Sequence, residues 1–172
     1  LVPGIDETLR VYGRTTLHGP DDLGIDLTEF GNQKAVYAAS DGLWAMFFAI
    51  VDRERVPSIT NACIRLEEDS GVMHGPRYVF SVSQSALASQ PWRAGTVYLL
   101  PRKTFSTQPS MGFGSYQVHF AQLASLEPVE PVARLTVLPE DFPFLMQIRG
   151  HDDQRLQEYA TALQTAAPWP KD

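Results

Sequence analysis

The chain has 172 residues, of which 44% are hydrophobic and 20% charged, a globular composition long enough to bury a core without disulfides or metal. Fourteen Lys and Arg against twenty Asp and Glu leave a net charge of -6, and the basic residues are scattered, so bulk charge gives no support to nucleic-acid binding. No window approaches the roughly 18 uninterrupted apolar residues of a membrane span, and a single soluble domain over residues 1–172 is expected.

Residues 10–17, RVYGRTTL, are rich in β-formers and predict a first strand, followed by the turn-rich HGPDD at 18–22. A second short strand is predicted at 34–39. Ser40 or Asp41 then supplies an N-cap, and a helix runs to about residue 53, ahead of Pro57. Residues 43–51, LWAMFFAIV, are apolar without interruption, so this helix has almost no polar face and is expected to be the most buried in the molecule. Strands follow at 59–66, 77–83, 95–100, 116–120 and 132–138, separated by turn-forming clusters. That spacing favours antiparallel connections, because parallel pairs need crossover helices. A last amphipathic helix is predicted at 152–166, with Leu156, Tyr159, Ala160 and Leu163 at helical spacing, Asp152 as its cap and Pro168 as its stop. The expected class is α+β: two packed, mainly antiparallel sheets with one buried helix near 41–53 and a C-terminal amphipathic helix.

The single cysteine, Cys63, has no intrachain partner for a disulfide and suits a reducing compartment; with no cationic neighbour it reads as a small buried hydrophobe. The opening LVPGIDETLR lacks a secretory signal, so a cytoplasmic location is expected. Phosphate-loop, dinucleotide-fold, nucleophile-elbow and paired-cysteine motifs are missing. His74, His119 and His151 are far apart, and isolated histidines are expected rather than a metal site. In Gly150-His151-Asp152-Asp153, a helix cap accounts for the acids beside the histidine. The Gly112–Tyr116 stretch reads either as a loop over a ligand or as a hairpin connection.

Four stretches share an order. Val11-Tyr12-Gly13-Arg14-Thr15 opens the first strand, Val36-Tyr37-Ala38-Ala39-Ser40-Asp41 leads into the apolar helix, Gly95–Pro101 follows, and Gln122–Pro131 introduces one more strand. Over residues 10–138 this order resembles the ADP-ribosyltransferase-like fold, particularly its small bacterial members. The resemblance implies NAD as substrate, with an unknown macromolecular acceptor or water receiving the ADP-ribose. Glycosidic cleavage there passes through an oxocarbenium-like state that positioned polar groups and a carboxylate stabilise.

Carried onto this chain, the resemblance gives Arg14 the ribose-holding role, beside Gly13 where a histidine is expected and four residues before His18. Tyr37 takes the nicotinamide-packing role, and Tyr12, Thr15 and Ser40 join Arg14 and Tyr37 as NAD contacts. The last motif has Gln122 where the family has a glutamate, which implies slow turnover or an inactive relative; Glu127 is the other candidate acid, and Glu130 lies between prolines. The bland reading makes Tyr37 a half-buried strand tyrosine, Arg14 a surface arginine and Glu127 a loop acid. The alternative function is a non-catalytic nucleotide-binding or protein-interaction module using aromatics such as Trp92, Phe113 and Trp169.

Overall fold

The computed structural model describes residues 30–156 and 158. The predicted strand at 10–17, with Tyr12, Arg14 and Thr15, the turn with His18, and most of the predicted C-terminal helix lie outside the described residues. What is described is α+β and mainly antiparallel. The strands are β1 (Val36–Ala39), β2 (Ile59–Glu68), β3 (Met73–Ser83), β4 (Gly95–Leu99), β5 (Ser106–Thr107), β6 (Met111–Phe113), β7 (Tyr116–Phe120), β8 (Gln122–Ser125), β9 (Ala133–Val137) and β10 (Arg149–His151). Two α-helices, α1 (Gly42–Ile50) and α2 (Gln84–Leu87), accompany them. No helix among the described residues is long and apolar enough to cross a membrane.

Asp41 begins α1 by accepting the backbone N–H of Trp44 at 2.9 Å, the capping bond that its position before the apolar run predicts. The helix stops at Ile50, about three residues short of the expected end near 53. Competing backbone partners explain this. The carbonyl of Ile50 accepts from Arg93 N–H at 2.8 Å, Asp52 N–H donates to the Pro91 carbonyl at 2.9 Å, and Val51 pairs with Trp92 as an isolated bridge. These groups would otherwise serve another helical turn.

The strands form a five-stranded sheet ordered β10-β3-β2-β7-β6, a three-stranded sheet ordered β1-β8-β5, and the β4-β9 ribbon. All pairs are antiparallel except β10 with β3. α1 lies between layers, which is why it can dispense with a polar face. On one side Trp44 and Phe47 meet Asn61, Cys63, Phe80 and Val82 of the five-stranded sheet; on the other, the helix packs against β4 and β9. Phe47 and Ile50 are fully buried, and the Phe47 ring centroid sits 4.7 Å from that of Phe80. Burying each such side chain contributes about 1.5–3 kcal/mol.

Some elements were not legible in the chain. Gln122–Ser125 is itself a strand rather than an introduction to the next one, because it is the central strand between β1 and β5. The Gly112–Tyr116 stretch is a two-residue hairpin: Phe113 faces Tyr116 across a turn of Gly114 and Ser115. Gly114 has φ +59°, a left-handed value that glycine adopts without a Cβ clash.

Candidate functional site at the fork between two sheets

Residues 116–125 form nearly one continuous strand that changes sheets at Ala121. Up to Phe120 it pairs with β2, and from Gln122 it pairs with β1. Ala121 joins the two: its N–H donates to the Cys63 carbonyl at 3.0 Å, and its carbonyl accepts the Ser40 N–H at 2.8 Å. Because one strand cannot lie beside both partners over the same residues, β1 and β2 diverge here. A pocket of about 40 Å³ opens in the fork, lined by Ser40, Asp41, Cys63, Ile64, Arg65, Phe120 and Ala121. That is space on the scale of a few water molecules, not of a dinucleotide.

The floor of the fork is built around Asp41. One carboxylate oxygen caps α1 through Trp44 N–H; the other accepts the Tyr78 hydroxyl at 2.9 Å. Tyr78 reaches it because it faces Cys63 across the β2–β3 ladder. Burial, then the hydrogen bond to the Asp41 carboxylate, push the Tyr78 phenol up to about 12. Burial, reinforced by the negative charge of Asp41, pushes the Cys63 thiol up to about 11. At neutral pH Cys63 is therefore a protonated thiol, a poor nucleophile, which agrees with its reading as a buried hydrophobe. The indole N–H of Trp44 donates to Asn61 Oδ1 at 2.6 Å, fixing the helix to the same face of β2.

Asp41→Ala removes the cap and deprives the Tyr78 hydroxyl of its acceptor. It is expected to destabilise the domain by about 2–4 kcal/mol, measured by urea unfolding. The raised Tyr78 phenol adds a pH signature. A folded-state pKa above the ordinary 10.0 makes the folded chain hold this proton longer than the unfolded chain. That stability is fully present below pH 10 and is lost as pH rises towards 12.

The sequence candidates fall around this fork in different ways. Ser40 stands at its mouth, with its hydroxyl donating to the Ala121 carbonyl at 3.2 Å. Gln122 is paired with Ala39 and Tyr37 with Ala124, so Tyr37 and Gln122 share one face of the β1–β8 pair in diagonal positions. The Tyr37 side chain is buried, and its hydroxyl lies 2.9 Å from the Phe30 carbonyl and 2.8 Å from the Gln33 carbonyl, tying down the segment before β1. Burial raises its phenol above the usual range. Its polar end is thus engaged by backbone, as in the bland reading. Glu127 is exposed beyond β8, where its backbone N–H donates to Ser125 Oγ at 3.2 Å, and Glu130 is exposed further along. Asp41 entered the sequence reading as a cap and as the end of the second motif stretch, and Tyr78 only as part of the strand predicted at 77–83. The alternation Tyr78, Phe80, Val82 marks the face Tyr78 occupies, but nothing local marks its partner.

The three histidines do not converge. His74 pairs with Glu68 at 2.6 Å and His119 with Glu67 at 2.7 Å, using successive and therefore oppositely facing residues of β2. His151 lies on β10, and Asp152 accepts from Gln154 N–H at 2.9 Å, a local cap. The chain matches no protein-family model, no curated protein and no solved structure.

Proposed function

We propose that this domain binds NAD at the fork and transfers or hydrolyses its ADP-ribose slowly, as an ADP-ribosyltransferase-like protein. One observation carries the reading: Tyr37 and Gln122, distant in sequence, share one face of the β1–β8 pair, which ends beside Ser40 and Asp41 of the fork. Ser40 lines the fork, and Gln122 follows its last lining residue, Ala121, at the start of β8. The small size of the pocket means that a dinucleotide would lie across its mouth rather than inside it.

A carboxamide at position 122 can hydrogen-bond a ribose hydroxyl but supplies no negative charge to an oxocarbenium-like state. Losing such a preorganised electrostatic contribution costs on the order of 10²-fold in rate. Gln122→Glu is therefore expected to raise NAD turnover by up to about that factor, followed as nicotinamide release. Glu127→Gln should leave it unchanged, since Glu127 is exposed past the end of β8. NAD at tenfold its Kd should stabilise the fold by about 1.4 kcal/mol, a rise in Tm of roughly 3–6 °C. Unchanged melting and no calorimetric heat at millimolar NAD would rule the reading out.

A second reading, a protein-interaction module, is favoured by the other end of the five-stranded sheet. Among the described residues β6 pairs only with β7, leaving it at an edge, and Met111 and Phe113 are each 52% exposed there. No Asp, Glu, Lys or Arg occurs from Thr104 to Leu126, so this edge lacks the charges that ordinarily deter strand addition. Of the aromatics considered for such a role, Phe113 is exposed, Trp92 packs against the core, and Trp169 lies outside the described residues. This reading expects no response to NAD.

A further inference from the structure

At the opposite edge of that sheet, His151 has both ring nitrogens engaged by serines. Ser81 Oγ lies 2.7 Å from Nδ1 and Ser58 Oγ lies 2.7 Å from Nε2. Asp153 Oδ1 accepts from Ser83 Oγ at 2.9 Å and from Ser58 Oγ, and stands 3.4 Å from Nε2. Ser83 Oγ in turn accepts the Ser58 N–H at 2.9 Å. The group ties β10 and the turn after it to β3 and to the residue preceding β2.

Proton counting selects the resting form. A serine hydroxyl has one proton to donate. Ser58 gives its proton to Asp153, so it accepts from Nε2–H; Nδ1 of the neutral ring is then an acceptor, filled by the Ser81 hydroxyl. Every polar group is paired with the ring uncharged. A second ring proton, on Nδ1, forces the Ser81 hydroxyl to turn and donate to the Arg149 carbonyl, 3.1 Å away. The hydrogen bonds survive this exchange, and the change that remains is a positive charge on a side chain only 8% exposed.

The charged groups nearby are few. Asp152, Asp153 and Arg155 lie on the turn that follows, the Arg155 guanidinium on Glu158, and Arg149 lies on β10 itself. Among the described residues, the packed elements bring uncharged groups to the ring: Ser81 and Ser83 from β3, Ser58 ahead of β2, and Gln84 from α2 against Gly150. The Asp153 side chain is 40% exposed, so water weakens its pull on the ring. Burial outweighs the two carboxylates, and the imidazole is held below its ordinary value.

We propose that His151 is a pH-sensitive latch: the neutral ring holds β10 and the following turn onto β3, and protonation lets them go. The folded chain takes up this proton less readily than the unfolded chain. The stability gained at the latch is therefore full above the ordinary histidine value near 6.5 and declines as pH falls through it.

The test is hydrogen exchange on the whole chain at pH 7.5 and pH 5.5, corrected for intrinsic rates, with the His151 ring titrated by NMR. Protection of residues 149–151 should fall severalfold at pH 5.5, within the ceiling of about tenfold that a single proton taken up near 6.5 allows, while that of β2 and β7 holds. His151→Gln should remove the pH dependence. Ser81→Ala, which deprives the Nδ1 proton of its acceptor, should move the release to lower pH. A His151 ring that titrates at or above the ordinary value, with protection unchanged or higher at pH 5.5, overturns the proposal. So does a loss of the same size that persists in His151→Gln or a release point unmoved in Ser81→Ala.

Discussion

Gly95→Ala is expected to be among the most damaging single-methyl additions in this protein. Gly95 opens β4 where the strand crosses α1, and a Cβ built there would overlap the Ala49 carbonyl oxygen and lie 2.5 Å from its carbon and 3.0 Å from its Cα. The obstacle is helix backbone, which cannot turn aside as a flexible side chain can. Either α1 moves off the β4–β9 ribbon or β4 separates from it, and both routes open the densest part of the core. A cost of about 3 kcal/mol or more follows, equivalent to a fall in Tm of roughly 6–12 °C. Gly42→Ala is the control: at the first residue of α1 a Cβ meets nothing within 4 Å, and alanine favours helix, so a small gain in stability is expected. Equal effects at the two positions, measured by thermal and urea unfolding, would contradict the close approach of β4 to the helix.

Phe47→Ala is expected to cost about 3–5 kcal/mol. The side chain is 0% exposed, and its ring lies 4.7 Å from that of Phe80, 5.8 Å from that of Phe48 and 6.1 Å from that of Phe142. It therefore joins the helix to β3 and to the segment before β10 at one point. Truncation leaves a cavity that three aromatic neighbours cannot fill without leaving their own contacts. Met146, 92% exposed, offers the contrast, and its replacement by alanine should stay within about 0.5 kcal/mol. A Phe47→Ala variant as stable as Met146→Ala would mean that α1 is not held between the sheets.

The two readings of function rest on different places, the fork around Asp41 and the β6 edge with Met111 and Phe113. Asp41 holds the fork together by capping α1 and receiving the Tyr78 hydroxyl, so its loss would weaken any ligand site there through the fold. Gln122→Glu is the more informative change, because it adds charge beside the fork, next to Ala121, without removing either Asp41 bond. The latch at His151 lies on a different strand, and its pH response can be followed whether or not NAD binds.

The position of α1 and its burial were determined by the sequence itself: nine apolar residues after Asp41 admit a helix only if it is covered on nearly all sides. The strand at 116–120 was equally local, since alternation acts over a few residues, whereas the Gly112–Tyr116 sequence fits a loop and a hairpin alike. Of the candidate residues, Ser40 lines the fork and Gln122 follows Ala121 at the start of β8, while the Tyr37 hydroxyl is engaged by the Phe30 and Gln33 carbonyls, which no local pattern indicates. Only the tertiary structure decided that residues 116–125 would change sheets at Ala121 and that β10 would run parallel to β3. The same is true of Ser58 and His151, which meet across 93 residues of chain. Local periodicity states which face of a strand is buried but not which strand lies beside it. That choice rests on non-local packing around α1, and the convergence of Asp41, Cys63 and Tyr78 follows from it.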